Sequence, residues 1–157
     1  MDKLWAPWRA EYIFKKKEEG CLFCNKFAEK RDEENYIIFR GKYTFVMMNI
    51  YPYNNGHLMI APIRHVGDIK SLTKEEILEM GEMVQKSINA IEKGMKPEGF
   101  NIGMNIGKIA GAGVVDHLHI HIVPRWAGDT NFMPIIADTK IIPVALSEAY
   151  RILKKYF

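Results

Sequence analysis

Three of the chain's five histidines fall at alternate positions in the run Asp116-His117-Leu118-His119-Ile120-His121-Ile122-Val123-Pro124. Side chains alternate across a β-strand, so His117, His119 and His121 are expected on one face and Leu118, Ile120 and Ile122 on the other. Same-face neighbours stand about 7 Å apart, close enough for one small charged group to touch two rings. Three readings suit such a row. It can be a polar outer face that happens to carry histidines. It can be a catalytic metal site with Asp116 and Asp129 as supplementary ligands, since imidazole is a common transition-metal ligand. It can be a nucleophilic centre acting on phosphorus, where a neutral imidazole attacks and neighbouring imidazoliums hold the phosphoryl oxygens.

Cys21-Leu22-Phe23-Cys24 carries both cysteines of the chain. Two cysteines cannot build a disulfide scaffold. Their spacing reads as half of a tetrahedral zinc site or as a thiol pair in a reducing compartment. A thioredoxin-like redox role is disfavoured, because the motif is not expected to open a helix within a βαβ pattern. In the stretch from Asn105 to Gly113, the glycines allow close backbone approach, and successive N–H groups can cradle an anion. His57 taken alone reads as a satisfied core histidine. Lys108 and Arg125 could hold a free phosphate, although a solvated surface cation is the plainer reading of each.

These groups need elements to hold them. Tyr36–Arg40 and Tyr43–Met48 are β-rich runs joined at Gly41-Lys42, a hairpin signal. Asn54-Asn55-Gly56 marks a turn, and His57–Ala61 reads as a third strand stopped by Pro62. Thr73 and Glu76 form a capping box for a long helix. Ile77, Met80, Val84, Ile88 and Ile91 keep helical spacing along it, with Gly94 as its C-terminal cap. Phe100–Ile106 and Val114–Val123 read as two further strands, the second ended by Pro124. Residues 128–139 read as mostly irregular. A last helix starts at Pro143, with Leu146, Ala149, Tyr150, Leu153 and Tyr156 on one face. The order β-β-β-α-β-β-α predicts an antiparallel α+β architecture.

A length of 157 residues suits one domain over 1–157. Hydrophobic residues at 48% and charged residues at 26% support a packed core and argue against disorder. Lys and Arg number 22 against 19 Asp and Glu, for a net charge of +3. That surplus is too small for a duplex nucleic-acid binder and suits a small anionic substrate. No apolar run approaches a membrane span. Met1 to Tyr12 is not a signal peptide, which together with the thiols predicts a cytoplasmic location. Residues 1–20 are expected to form an arm whose Trp5, Trp8, Tyr12 and Phe14 pack on the core or on a second subunit.

The stretch His117 to Val123 resembles the H-x-H-x-H-x-x signature of the histidine triad (HIT) superfamily. Asn55-Gly56-His57-Leu58-Met59-Ile60-Ala61-Pro62 resembles the upstream strand of that family. Asn49 stands eight residues before His57, where members often carry a ribose-binding Asn or Asp. Leu4–Arg9 and Arg125–Phe132 are similar to the bacterial diadenosine-polyphosphate branch. The resemblance implies a HIT-like α+β fold: a five-stranded antiparallel sheet, one long central helix, a C-terminal helix, and a homodimer whose sheets join. It implies that His119 is the nucleophile, with Nδ1–H held by a backbone carbonyl, and that it forms a covalent nucleotidyl-histidine. His121 would polarise the phosphate oxygens and His57 would support His121. Asn49 would hold the ribose, and Asn105, Gly111, Gly113 and His121 would contact phosphates. Phe45 or Ile50 would stand by the base, although a core role suits either equally.

By the same resemblance, Cys21, Cys24, His65 and His117 would bind a structural zinc ion, with no organic cofactor. A reduced cysteine pair without metal is the alternative. The glycine loop departs from the family pattern. Gly113 stands where a Gln is common, and the loop is one residue longer, which resembles phosphorylase-like members. The implied activity is a nucleotidyl hydrolase or transferase cleaving dinucleoside polyphosphates, with diadenosine tetraphosphate foremost. The alternatives are a phosphorylase that uses inorganic phosphate, a nucleoside phosphoramidase, or a slow nucleotide-binding module.

Overall fold

A computed structural model describes residues 19–138 and 140–157. The aromatic side chains of the expected N-terminal arm lie outside the described residues. Five strands, β1 (Ile37–Arg40), β2 (Thr44–Met48), β3 (Leu58–Pro62), β4 (Gly99–Gly103) and β5 (Ile120–Arg125), form one sheet in the order β1-β2-β3-β5-β4. Every neighbouring pair is antiparallel. Among the described residues the α-helices are α1 (Leu22–Ala28), α2 (Lys74–Met95), α3 (Met133–Ala137) and α4 (Leu146–Lys154). The α+β class, the five strands, the long central helix and the C-terminal helix are as expected.

Both faces of the sheet are covered, which is why β2 and β3 are buried at every position. Ile38, Val46, Met48, Leu58, Ile60 and Ile122 pack against α2 and α4 through Met80, Met83, Ile91, Ala149, Tyr150 and Leu153. On the opposite face, Phe45, Met47, Met59 and Ala61 pack with Ile37 and with Phe23 of α1. That second face carries the histidines.

The capping box is formed: Glu76 N–H donates to Thr73 Oγ1 at 3.1 Å, and Thr73 N–H to Glu76 Oε2 at 2.9 Å. The buried stripe of α2 is rotated from the expected one. Met80, Met83, Ser87, Ala90 and Ile91 face inward, while Ile77 is 55% exposed. Ser87 and Ala90 are small, so the helix can lie close to the sheet. Gly94 is not the cap, since α2 runs to Met95 and closes on Lys96 in the left-handed conformation. A side chain at Gly94 would meet Ile152 of α4 at 2.7 Å, so this glycine sets the approach of the two helices. The last helix begins at Leu146 rather than Pro143, and the irregular 128–139 segment contains α3.

Candidate active site and metal centre

The expected ten-residue strand from Val114 to Val123 forms only from Ile120 onward, and Pro62 is the reason. β3 pairs with β5 at Leu58↔Ile122, Met59↔His121 and Ile60↔Ile120. The next positions in that register are Ala61 with His119 and then Pro62 with Leu118. The N–H of Ile63 bonds to Tyr43 O on the β2 side, so position 62 points toward β5. Proline has no N–H to donate there. Leu118 O is thereby left without its ladder donor, and Leu118 N–H donates to Val66 O at 2.8 Å. The free Pro62 carbonyl is taken by the ring of His117, Nε2 to O at 2.7 Å. His117 and His119 therefore lie just before the strand, and only His121 is on it.

A carbonyl only accepts, so His117 carries its proton on Nε2 and presents the Nδ1 lone pair. That Nδ1 stands 3.2 Å from Cys21 Sγ, 3.5 Å from Cys24 Sγ and 3.3 Å from His65 Nδ1. Cys24 Sγ is 3.4 Å from His65 Nδ1. A tetrahedron with bonds of about 2.0–2.3 Å has edges of about 3.3–3.8 Å, so these four atoms fit one metal ion with little movement. All four lie within 4.8 Å of one another. The C-x-x-C motif opens a helix, with Cys21 preceding α1, but not within a βαβ unit, since every paired strand of the sheet is antiparallel. Arg64 holds the His65 segment by pairing with Glu76 at the start of α2.

The remaining histidines form a chain of fixed direction. The Tyr53 backbone N–H donates to His57 Nδ1 at 3.1 Å, so His57 must carry its proton on Nε2. Nε2 of His57 lies 2.8 Å from Nδ1 of His121 and donates to it. His121 then presents Nε2–H outward. His119 is set the opposite way: its Nδ1–H donates to His117 O at 2.9 Å, which leaves a lone pair on Nε2. The rings of His119 and His121 are 4.8 Å apart and nearly perpendicular. Burial pushes His57 down to about 3, with His121 and His119 adding to the effect. Burial, then His119, lowers His121 to about 4. Burial also lowers His119, against its bond to the His117 carbonyl. All three rings are thus neutral near pH 7. One offers a nucleophilic lone pair and its neighbour a hydrogen-bond donor.

His117 turns to the cysteines and away from this pair, so the reading of His117, His119 and His121 as three ligands of one catalytic metal is overturned. Asp129 is no ligand either. It takes a fork from Arg125 and further bonds from Asn54 Nδ2 and Trp126 N–H. Asn49 lies next to β2, its N–H on His57 O and its Oδ1 accepting from Tyr51 N–H, which leaves Nδ2 to donate. Asn105 closes the glycine loop by donating to Gly111 O at 3.3 Å. Gly111 needs its glycine, at φ +90°, whereas a side chain at Gly113 would meet nothing. Phe45 is fully buried in the core.

Two residues escape the sequence reading. Tyr53 supplies the amide that orients His57, and its ring stacks 5.6 Å from His121. Phe23, between the two cysteines, packs its ring 5.2 Å from His117 and 4.9 Å from His119. The aromatic ring inside C-x-F-C was the only signal for the second, and nothing marked the first.

The HIT domain family model matches residues 30–128, and the chain belongs to this family. A Mycobacterium tuberculosis protein named AP-4-A phosphorylase is 38% identical over 98% of this chain and 83% of its own length. The bis(5'-adenosyl)-triphosphatase of Dictyostelium discoideum is 34% identical over 59% of this chain and 61% of its own. A zinc-bound histidine triad family protein from Mycobacterium smegmatis superposes with a TM-score of 0.71 at 25% identity, covering 87% of this chain and 92% of that one. With such relatives, the protein is an enzyme of the HIT family.

Proposed function

We propose that the protein transfers a nucleotidyl group from dinucleoside polyphosphates through His119. The observation that carries this reading is the opposed setting of two neutral imidazoles, His119 with a free Nε2 lone pair beside His121 with an outward Nε2–H. His119 Nε2 attacks the α-phosphorus, a P–N bond forms, and the P–O bond to the leaving nucleotide breaks. His121 Nε2–H stabilises the oxygen charge that builds up. The His117 carbonyl, bonded to His119 Nδ1–H, stabilises the ring as it becomes cationic. An acceptor oxygen then attacks the phosphorus, a new P–O bond forms, and the P–N bond breaks with its electron pair returning to Nε2 of a neutral His119. Asn49 Nδ2 suits a ribose hydroxyl, and the Asn105–Gly113 loop suits the phosphates.

Two features favour inorganic phosphate over water as acceptor: the likeness to the M. tuberculosis AP-4-A phosphorylase along nearly the whole chain, and the missing Gln at Gly113. Incubation with diadenosine tetraphosphate tests both points. ATP with ADP appearing only when phosphate is present supports phosphorolysis. ATP with AMP regardless of phosphate means water is the acceptor. Full turnover by a His119→Ala chain overturns the covalent route.

Cys21, Cys24, His65 and His117 would hold zinc, and its contribution would be structural, with the two cysteines tying the start of α1 to the histidine segment. The protein also pairs with a second copy through β4, whose outer edge has no partner strand among the described residues and whose Ile102 is 44% exposed. Sedimentation equilibrium that returns a monomer contradicts this. A cytoplasmic setting suits the reduced thiols.

A further inference from the structure

The sheet face that carries His121 continues along β5 to Val123 and Arg125. Their β4 partners are Gly103 opposite His121, Asn101 opposite Val123, and Gly99 opposite Arg125. Beside this strip lies a cavity of about 340 Å³, lined by Tyr53, Asn54, Asn101, Val123, Arg125, Thr130 and Lys140. Tyr53 is shared: it lines the cavity, and its ring stacks on His121.

The polar groups on this lining are mostly donors. Arg125 donates through Nε and Nη2 to Asp129 and through Nη1 to Asn101 Oδ1 at 2.8 Å. Each Nη keeps a second hydrogen. Asn101, having turned its oxygen to Arg125, offers Nδ2. Lys140 Nζ donates to Asp129 O and keeps two further hydrogens. Thr130 adds a hydroxyl. The carboxylate of Asp129 has its oxygens occupied by Arg125, Asn54 and Trp126, and its side chain is only 5% exposed. Two cations and two neutral donors thus border a space that no carboxylate lines among the described residues, while Asn54, its Nδ2 spent on Pro124 O and Asp129, adds an acceptor oxygen.

We infer that this cavity is a second anion subsite, which takes a phosphate group while His119 and His121 hold the reacting phosphorus. The inference rests on the nucleotidyl-transfer reading and deepens it. The phosphate can belong to the leaving polyphosphate chain or be the free acceptor. The chemistry of recognition is the same for both.

Calorimetry on the His119→Ala chain tests the subsite, with AMP and inorganic tripolyphosphate as probes. Tripolyphosphate is expected to bind with AMP already in place. Asn101→Asp, which keeps the acceptor for Arg125 but puts a carboxylate on the lining, should weaken tripolyphosphate about tenfold and leave AMP unchanged. Lys140→Gln should act in the same direction. Tripolyphosphate affinity unaltered in both variants, or full displacement of tripolyphosphate by AMP, overturns the subsite. In the otherwise native enzyme, Asn101→Asp separates the sources. A raised KM for inorganic phosphate assigns the acceptor. A raised KM for diadenosine tetraphosphate but not triphosphate assigns the leaving chain. Either supports the subsite. If the native enzyme turns over neither dinucleotide, the functional reading fails, while the calorimetric result still decides the subsite.

Discussion

His57 touches no substrate in this scheme; it sets which nitrogen of His121 carries the proton. His57→Gln should therefore lower kcat by about 10²-fold while KM for diadenosine tetraphosphate changes by less than about threefold. A steady-state titration of the variant checks this split, and an equal rise in KM would point to a binding role. The same burial predicts a pH dependence of stability. His57 and His121 stay neutral in the fold down to about 3 and about 4, while in the unfolded chain they protonate near about 6.5. The unfolded state therefore binds more protons at acid pH. This contribution is fully present above about 6.5 and is lost as the pH falls toward the folded values. Urea midpoints measured from about pH 7 to about pH 4 should fall, and His57→Gln should flatten the slope.

At the scale of elements, Pro62 shows what was and was not legible in the sequence. The alternating histidines predict a strand, and β5 forms there with only His121 of the three on it. Its start was misjudged by six residues, Val114 against the observed Ile120, because strand length depends on the partner's free N–H groups. Pro62 and Leu118 had to be known as partners before the proline's effect could be seen. The hairpin, the capping box and the C-terminal helix are local signals and were read from local residues. The buried stripe of α2 was not, because Ser87 and Ala90 face the sheet by virtue of their size. Helix α1 is short, seven residues, and is held by Phe23 in the core rather than by its own periodicity. Pro62→Ala restores an N–H opposite Leu118 and lets the ladder compete for the carbonyl that orients His117. Metal affinity should fall about tenfold, as read by competition with a chromogenic chelator. Unchanged affinity would mean that the cysteines and His65 orient His117 without help.

At the scale of the whole molecule, the two centres share one residue. The His117 ring belongs to the metal group and its carbonyl to His119, while Phe23 packs on both rings. Removing metal should therefore affect both stability and turnover. Dialysis against a strong chelator is expected to lower the thermal midpoint and reduce kcat, with activity returning on zinc addition. Circular dichroism melts beside product assays check this. A chelated protein with full kcat would separate the two centres. The burial of Leu118 and Ile122 was legible in their alternation with the histidines. The sharing of His117 was not, because it depends on the ring and the carbonyl of one residue pointing apart.

The Tyr53 amide gives the imidazole chain a closed end. Protons can hop along linked rings only if the last member can surrender one, and a peptide N–H cannot at physiological pH. Were His121 to give up its outward proton, it could borrow from His57, but His57 would have no source behind it. The chain is thus a blind alley for proton traffic. Any proton consumed at the leaving group must be replaced from the solvent side, so the cycle refills through the same mouth by which substrate enters.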